Sequence, residues 1–123
     1  MLYVFNPLSD RLIGVGKTLY KSLIRKGVLS GNEPVYEIPN NDIKWIDISP
    51  KATKDRISIH KRCGGKCFLQ PNSIRPKYPI CTGKNKCKLS CKALKSAMRI
   101  ARIRKDNKIL KLAIRVFKKN CKV

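Results

Sequence analysis

Acidic residues are scarce in this sequence, which has 7 Asp and Glu against 29 Lys and Arg and a formal net charge of +22 over 123 residues. The shortage is greatest after residue 60, where Asp106 is the sole acid. Positive side chains at helical spacing repel one another by roughly 0.2–0.5 kcal/mol per i,i+4 pair when no carboxylate offsets them. A surface that needed only solubility would mix both signs. The scarcity of acids therefore predicts an anionic partner.

Patterns typical of catalysis are also lacking. His60 is the single histidine, and the scattered carboxylates form no acid–base pair or triad. Residues 14–18 resemble the end of a phosphate-binding loop, but Arg11 stands where that motif needs a glycine. We therefore expect no enzymatic activity and no small-molecule substrate.

Long apolar runs are missing as well. No window approaches the roughly 20 apolar residues of a membrane-spanning helix. The apolar residues 1–5 lack a basic start and end at Asn6-Pro7, unlike a secretory signal. We expect synthesis in a soluble compartment.

The positive charge is unevenly distributed along the chain. Residues 1–60 hold 9 Lys and Arg and 6 Asp and Glu, whereas residues 61–123 hold 20 basic residues, one acid and all six cysteines. This division predicts a near-neutral N-terminal α+β unit, 1–60, followed by a cationic, cysteine-rich segment, 61–123.

The N-terminal pattern is typical of a β-turn-β-α unit. Residues 2–5 are β-prone and can pair with residues 11–15 across the Asn6-Pro7 turn. Thr18 is placed to cap a helix that Gly27 ends in a left-handed conformation. Further short strands are predicted at residues 35–38, 43–48 and 56–59.

The cationic segment begins irregularly and ends in two amphipathic helices. Residues 61–91 contain repeated glycines and prolines and no sustained period. Ser90 can cap a helix to about Lys105, and Asp106 a second helix to about Lys119. Their short joint predicts an antiparallel helical hairpin. The predicted fold class is therefore α+β, with a cysteine-stapled middle.

Basic residues follow the polar side of both helices at alternating steps of three and four. A solvated surface is the simpler interpretation, but the missing acids favour an anionic partner. The partner could be a protein, a lipid surface or a nucleic acid. The predicted binding residues are Lys88, Lys92, Lys95, Arg99, Arg102, Lys108, Lys111, Arg115, Lys118 and Lys122.

The cysteines suggest disulfide cross-links. An even number in a loop-rich, like-charged segment favours three disulfides, whose pairing the sequence leaves open. Their spacing does not form the paired CxxC motifs of a zinc ribbon, although four thiolates around Zn²⁺ remain an alternative. We expect no cofactor under the disulfide interpretation. The cysteines are Cys63, Cys67, Cys81, Cys87, Cys91 and Cys121.

Two segments bear a family resemblance. The pattern Asn6-Pro7-x-Ser9-x-Arg11-x-Ile13, followed by a Gly-x-x-x-Tyr-x-x-Leu helix, resembles a module of nucleocytoplasmic large DNA viruses that is sometimes seen as a two-cysteine adaptor. Asp10 stands where that module usually has glycine, and no cysteine precedes Cys63. The segment from Lys66 through Ala97 resembles a small basic cysteine segment of the same viruses.

The resemblance implies a virion-associated protein made in host cytoplasm, where viral thiol oxidases make disulfides credible. It suggests a non-enzymatic structural role as a minor capsid or cement protein. The expected partners are other viral capsid proteins and an acidic capsid surface or the inner viral membrane. The alternative is a DNA-binding core protein that neutralises packaged viral DNA. A zinc-binding regulator of viral transcription is less consistent with the helix pattern.

Overall fold

The computed structural model describes residues 1–38, 45, 49–72, 76–82 and 87–123. The chain forms two compact units, one of residues 1–40 with 121–123 and the other of residues 41–120. The charge boundary at residue 60 lies inside a helix of the second unit, Thr53–Cys63. The change in charge and the change of compact unit therefore occur at different places.

The first unit begins with the predicted β-hairpin. Strand β1 (Leu2–Asn6) pairs antiparallel with β2 (Arg11–Gly14). The turn between them closes because the backbone N–H of Asp10 donates to the carbonyl of Asn6 at 2.7 Å. Asp10 has a φ of 56°, a left-handed conformation that Asp adopts more readily than most residues.

Helix α1 (Thr18–Arg25) packs on this hairpin and completes the predicted unit. Its Leu23 is buried in one cluster with Val4 and Leu29. The helix ends at Arg25, and Gly27, two residues later, has the expected left-handed conformation, with a φ of 75° that suits a residue without Cβ. The backbone N–H of Val28 then donates back to the carbonyl of Leu23 at 2.9 Å.

The N-cap prediction for α1 is wrong by one residue. The carbonyl of Lys17 accepts the first helical hydrogen bond, from the N–H of Lys21 at 3.0 Å. Lys17 is therefore the N-cap, and its side chain makes no capping hydrogen bond. Thr18 is the first residue of the helix.

A third strand and the C-terminal residues extend the sheet. Strand β3 (Tyr36–Glu37), within the predicted residues 35–38, pairs antiparallel with β1 and gives the order β2-β1-β3. On its other side Tyr36 forms an antiparallel bridge with Lys122. The N–H of Val123 donates to the carbonyl of Val35 at 2.9 Å. The chain thus returns to the first unit at its end.

The second unit contains a helix where a strand was predicted. Helix α2 (Thr53–Cys63) covers residues 56–59. Ile57 and Ile59 alternate as in a strand, yet Ile59 is 7% exposed and Ile57 is 36% exposed, as helical spacing allows. Asp55 in the first turn and Lys61 and Arg62 in the last complement the helix dipole. The strand predicted over residues 43–48 lies outside the described residues, except for Trp45, which is helical.

Short strands and disulfides build the middle of the chain. After a 3₁₀ turn at Gly65–Cys67, strand β4 (Phe68–Gln70) pairs antiparallel with β5 (Lys77–Pro79). Strand β6 (Cys81–Thr82) pairs antiparallel with β7 (Lys88–Leu89). Disulfides join Cys63 to Cys87 and Cys67 to Cys81. The predicted cysteine-stapled middle is confirmed.

The predicted helical hairpin is also present. Helices α3 (Cys91–Ile103) and α4 (Asn107–Asn120) pack along each other. The Ser90 hydroxyl accepts from the N–H of Ala93 at 3.2 Å, and the Asp106 carboxylate accepts from the N–H of Ile109 at 3.2 Å. Both predicted caps are confirmed. Since α3 contacts β5 and α4 contacts β4, the hairpin is anchored on the β4–β5 ladder, and the fold class is α+β.

Candidate anion-binding site

Eight of the predicted basic residues lie on the solvent-facing sides of the two helices of the hairpin. On α3 they are spaced opposite a buried stripe that includes Leu94, Ala97 and Met98, and on α4 they lie opposite Ala113 and Phe117. Helical periodicity therefore turns them away from the packed side. We call the following set the basic face: Lys92, Lys95, Arg99 and Arg102 on α3, and Lys108, Lys111, Arg115 and Lys118 on α4.

The basic face is well exposed. Its residues on α4 are all exposed, as are Lys95 and Arg99 on α3, while Lys92 and Arg102 are half-buried. Long Lys and Arg side chains lay their alkyl stems on a helix and keep the charged group in water. The charges of the basic face are therefore accessible to a large anionic surface.

The two remaining predicted residues lie off the helices. Lys88 belongs to β7 and precedes α3. Lys122 lies beyond the end of α4, in the first unit, where its backbone pairs with Tyr36. Their three- and four-residue spacing continues that of the helical residues, but both positions lie outside the helices, which begin after Ser90 and end at Asn120, close to the predicted bounds.

The joint between the helices is tightly bonded. The N–H of Lys105 donates to the carbonyl of Arg102 at 3.1 Å, and the N–H of Asp106 donates to that of Ala101 at 2.9 Å. These are the two hydrogen bonds of a Schellman motif, with Lys105 at the left-handed position, at a φ of 56°. The guanidinium carbon of Arg104 lies 5.9 Å from the centre of the Tyr78 ring, a cation–π contact to β5.

Two carboxylates bind backbone groups close to them in the sequence. Asp106, the sole acid after residue 60, caps α4 through its hydrogen bond to Ile109. Glu33, in the first unit, accepts hydrogen bonds from the N–H groups of Ser30 and Gly31, both at 2.9 Å. The Ser30 N–H is the main cause of the lowered pKa of Glu33. Each of these two carboxylates thus serves a local turn or cap.

One residue of this surface was missed by sequence reasoning. Ile103 ends α3 and is 72% exposed. It follows Arg99 by four positions and Lys92 by eleven, which places it on the basic face at the joint. That spacing was the available signal, but an apolar residue in an amphipathic pattern is normally assigned to the core.

Zinc binding through the cysteines is inconsistent with this arrangement. All six cysteines are disulfide-bonded, including Cys91 and Cys121, and a zinc site would need their free thiolates. Among the described residues, no group of three His, Cys, Asp or Glu side chains is placed to hold a metal. The disulfides Cys63–Cys87 and Cys67–Cys81 are the covalent framework of the second unit.

Comparison with known proteins gives no family assignment: the chain matches no protein-family model, no curated protein and no solved structure. The described helices include none that is both long and apolar enough to cross a membrane.

Proposed function

We propose that this chain is a non-enzymatic structural protein that binds a large anionic surface through the basic face. The observation that carries the proposal is the placement of eight Lys and Arg residues on the solvent-facing sides of the two helices of a hairpin anchored on a disulfide-linked scaffold. Such a scaffold fixes the backbone positions of these residues before a partner arrives. A pre-organised backbone loses less entropy on binding than a disordered basic tail does.

The resemblance to virion proteins suggests where this surface is used. A minor capsid or cement protein of a large DNA virus would contact capsid neighbours through its near-neutral first unit. Its basic face would bind an acidic capsid surface or the inner viral membrane. Disulfides are consistent with assembly through a viral thiol oxidase pathway.

Location in the particle is the first test. Particles purified from cells that produce the chain would be treated with a lysine-reactive cross-linker, and the linked peptides identified by mass spectrometry. We expect the chain in the particles, with the lysines of α3 and α4 linked to shell or membrane proteins. Absence of the chain from purified particles would refute the virion role.

A matched pair of variants tests the basic face itself. The first variant replaces four of its exposed residues with Gln: Arg99, Lys108, Lys111 and Arg115. The control replaces the same number of exposed Arg and Lys residues in the first unit with Gln: Arg11, Lys21, Arg25 and Lys26. Both lose four charges, and Gln keeps the helix propensity of Lys and Arg. Retention on an anionic matrix, or on particles stripped of the native chain, should fall for the first variant at least tenfold more than for the control. Equal retention would refute the site.

The alternative role, neutralising packaged DNA, makes a separate prediction. Lys and Arg contacts to phosphate position a protein without specifying sequence. Binding to duplex DNA would then weaken with salt at a log–log slope of about −0.9 per phosphate contacted. A chain that stays with DNA-free shells and does not bind duplex at physiological salt would exclude this alternative.

A further inference from the structure

The joint of the helical hairpin carries an unusual combination of side chains. Ile103 is 72% exposed, whereas the other side of α3 buries Leu94, Ala97 and Met98. Ile103 lies in the last turn, on the basic face. A large aliphatic side chain is therefore presented to the same partner as the surrounding positive charges.

Positive charge is densest around this isoleucine. Residues 99–108 contain Arg99, Arg102, Arg104, Lys105 and Lys108, with Asp106 as the one acid. The carboxylate of Asp106 faces the start of α4, where the N–H of Ile109 donates to it. Ile103 therefore has positively charged residues before and after it in the sequence. This combination suits a partner that has an anionic surface layer directly above an apolar layer.

The conformation that exposes Ile103 is fixed by its neighbours. The Schellman hydrogen bonds hold the turn from Ala101 to Asp106. The contact of Arg104 with the Tyr78 ring ties the same turn to β5. Ile103 therefore does not need a large rearrangement to reach a partner.

We infer that this joint binds an anionic lipid bilayer, with Ile103 entering the interface and the adjacent Lys and Arg residues contacting lipid phosphates. The inference rests on the proposed function, because it names the partner of the basic face. Each Lys or Arg near an anionic membrane adds to the attraction, and an aliphatic group gains from leaving water for the acyl boundary. An anionic bilayer therefore offers a favourable environment both to the Lys and Arg residues and to Ile103.

Other anionic partners use this combination less well. A phosphate backbone attracts the cations but offers no apolar environment for Ile103. A protein partner requires roughly 800 Å² per side with an apolar, often aromatic core, whereas Ile103 is a single aliphatic side chain surrounded by charges. The bilayer is the partner that the exposed isoleucine favours.

Vesicle binding by the full, oxidised chain tests the inference. The probes are vesicles of phosphatidylcholine with phosphatidylserine, vesicles of phosphatidylcholine alone, and a DNA duplex. The variant is Ile103→Ser. The control is Leu8→Ser, because Leu8 is similarly exposed, at 75%, in the β1–β2 turn of the near-neutral unit. Flotation against lipid concentration gives the affinities, and thermal melting checks that both variants remain folded.

We expect binding to the phosphatidylserine vesicles, little binding to phosphatidylcholine alone, and an affinity about tenfold lower for Ile103→Ser, with Leu8→Ser unchanged. An equal affinity for Ile103→Ser would overturn the inference and leave the proposed function intact. Duplex binding without vesicle binding would overturn it as well. If the four-residue Gln variant of the basic face bound every anionic probe like its control, the proposed function itself would fail.

A second variant, expected to bind more tightly, separates loss of binding from loss of folded structure. Ile103→Trp keeps a large apolar side chain at the joint and adds the preference of Trp for the membrane interface. Tighter binding, with a blue shift of Trp emission on adding phosphatidylserine vesicles, supports insertion. No change in affinity or emission contradicts insertion of residue 103.

Discussion

Lys105 is the residue at which the helical hairpin departs most from local backbone preference. It occupies the left-handed position of the Schellman motif, at a φ of 56°, where an L-residue with a Cβ costs roughly 1–2 kcal/mol. Glycine removes that cost, although it loses more entropy on folding. We expect Lys105→Gly to be more stable than Lys105→Ala by about 1 kcal/mol.

The comparison with alanine is the control, because both variants lose the same charge. Urea denaturation of the two oxidised variants would measure the difference. Equal free energies of unfolding would show that the joint does not hold residue 105 in this conformation.

Residue-level predictions from the sequence succeeded where the signal was local. Ser90 and Asp106 have side-chain oxygens that reach an N–H three residues on, so their capping roles could be predicted. Thr18 has the same chemistry, but it is the first residue of the helix, and the N-cap is Lys17, whose side chain makes no capping hydrogen bond. Lys105 gave no sequence signal, since lysine has no preference for positive φ.

At the scale of elements, the two disulfides of the second unit differ in burial. Cys67 and Cys81 are 0% and 4% exposed, whereas Cys63 and Cys87 are half-buried at the edge of the same cluster. Thiol–disulfide exchange requires a thiolate to reach the sulfur atoms. We therefore expect limited reductant to open Cys63–Cys87 before Cys67–Cys81.

Alkylation after timed exposure to reductant, followed by peptide mass spectrometry, measures this order. The labels should appear on Cys63 and Cys87 first. The double variant Cys67→Ala, Cys81→Ala should lower the free energy of unfolding by about 3 kcal/mol, because the unfolded chain is no longer restricted by the loop that this disulfide closes. Simultaneous labelling of both pairs would mean that reduction proceeds through global unfolding.

Helix α2 shows why some elements could not be predicted. Isoleucines at positions 57 and 59 alternate as in a strand, and a short apolar pattern does not distinguish strand from helix. In the structure Ile59 packs with Cys67, Phe68 and Cys81. The guanidinium of Arg56 donates to the carbonyls of Pro50 at 2.7 Å and Pro76 at 3.1 Å. The contacts with Pro76 and Cys81 join residues far apart in the sequence, so no local pattern contains them.

At the scale of the whole molecule, the same limit applies to the sheet of the first unit. The β1–β2 hairpin could be predicted because its strands are adjacent in the sequence. The pairing of β3 with β1, and of Tyr36 with Lys122, joins residues much further apart. Lys122 was assigned to the basic series by its spacing, although the predicted helix ends at about Lys119, and spacing alone cannot reveal that this residue pairs with Tyr36. The eight residues of the basic face were predictable because they lie within two continuous amphipathic helices.

The net charge of +22 makes salt a determinant of stability. Self-repulsion opposes the compact state, and the Debye length falls from about 30 Å at 0.01 M to about 8 Å at 0.15 M salt. We expect the melting temperature of the native chain to rise by several degrees over this range, as measured by calorimetry on the oxidised protein. A melting temperature that fell with salt would contradict dominance of self-repulsion.

Comparing the stabilities of the two four-residue Gln variants shows which part of the chain contributes most of the charge repulsion. Arg99, Lys108, Lys111 and Arg115 make like-charge neighbours at i,i+3 and i,i+4 along α3 and α4, each costing roughly 0.2–0.5 kcal/mol. Their replacement should raise stability at low salt by about 1 kcal/mol and flatten the salt dependence, while the first-unit control should change little because residues 1–60 are near neutral. A basic-face variant that is more stable than the native chain but binds no anionic surface would indicate that these charges are kept for binding at a cost in stability. A variant less stable than its control would show instead that the basic face contributes to the fold.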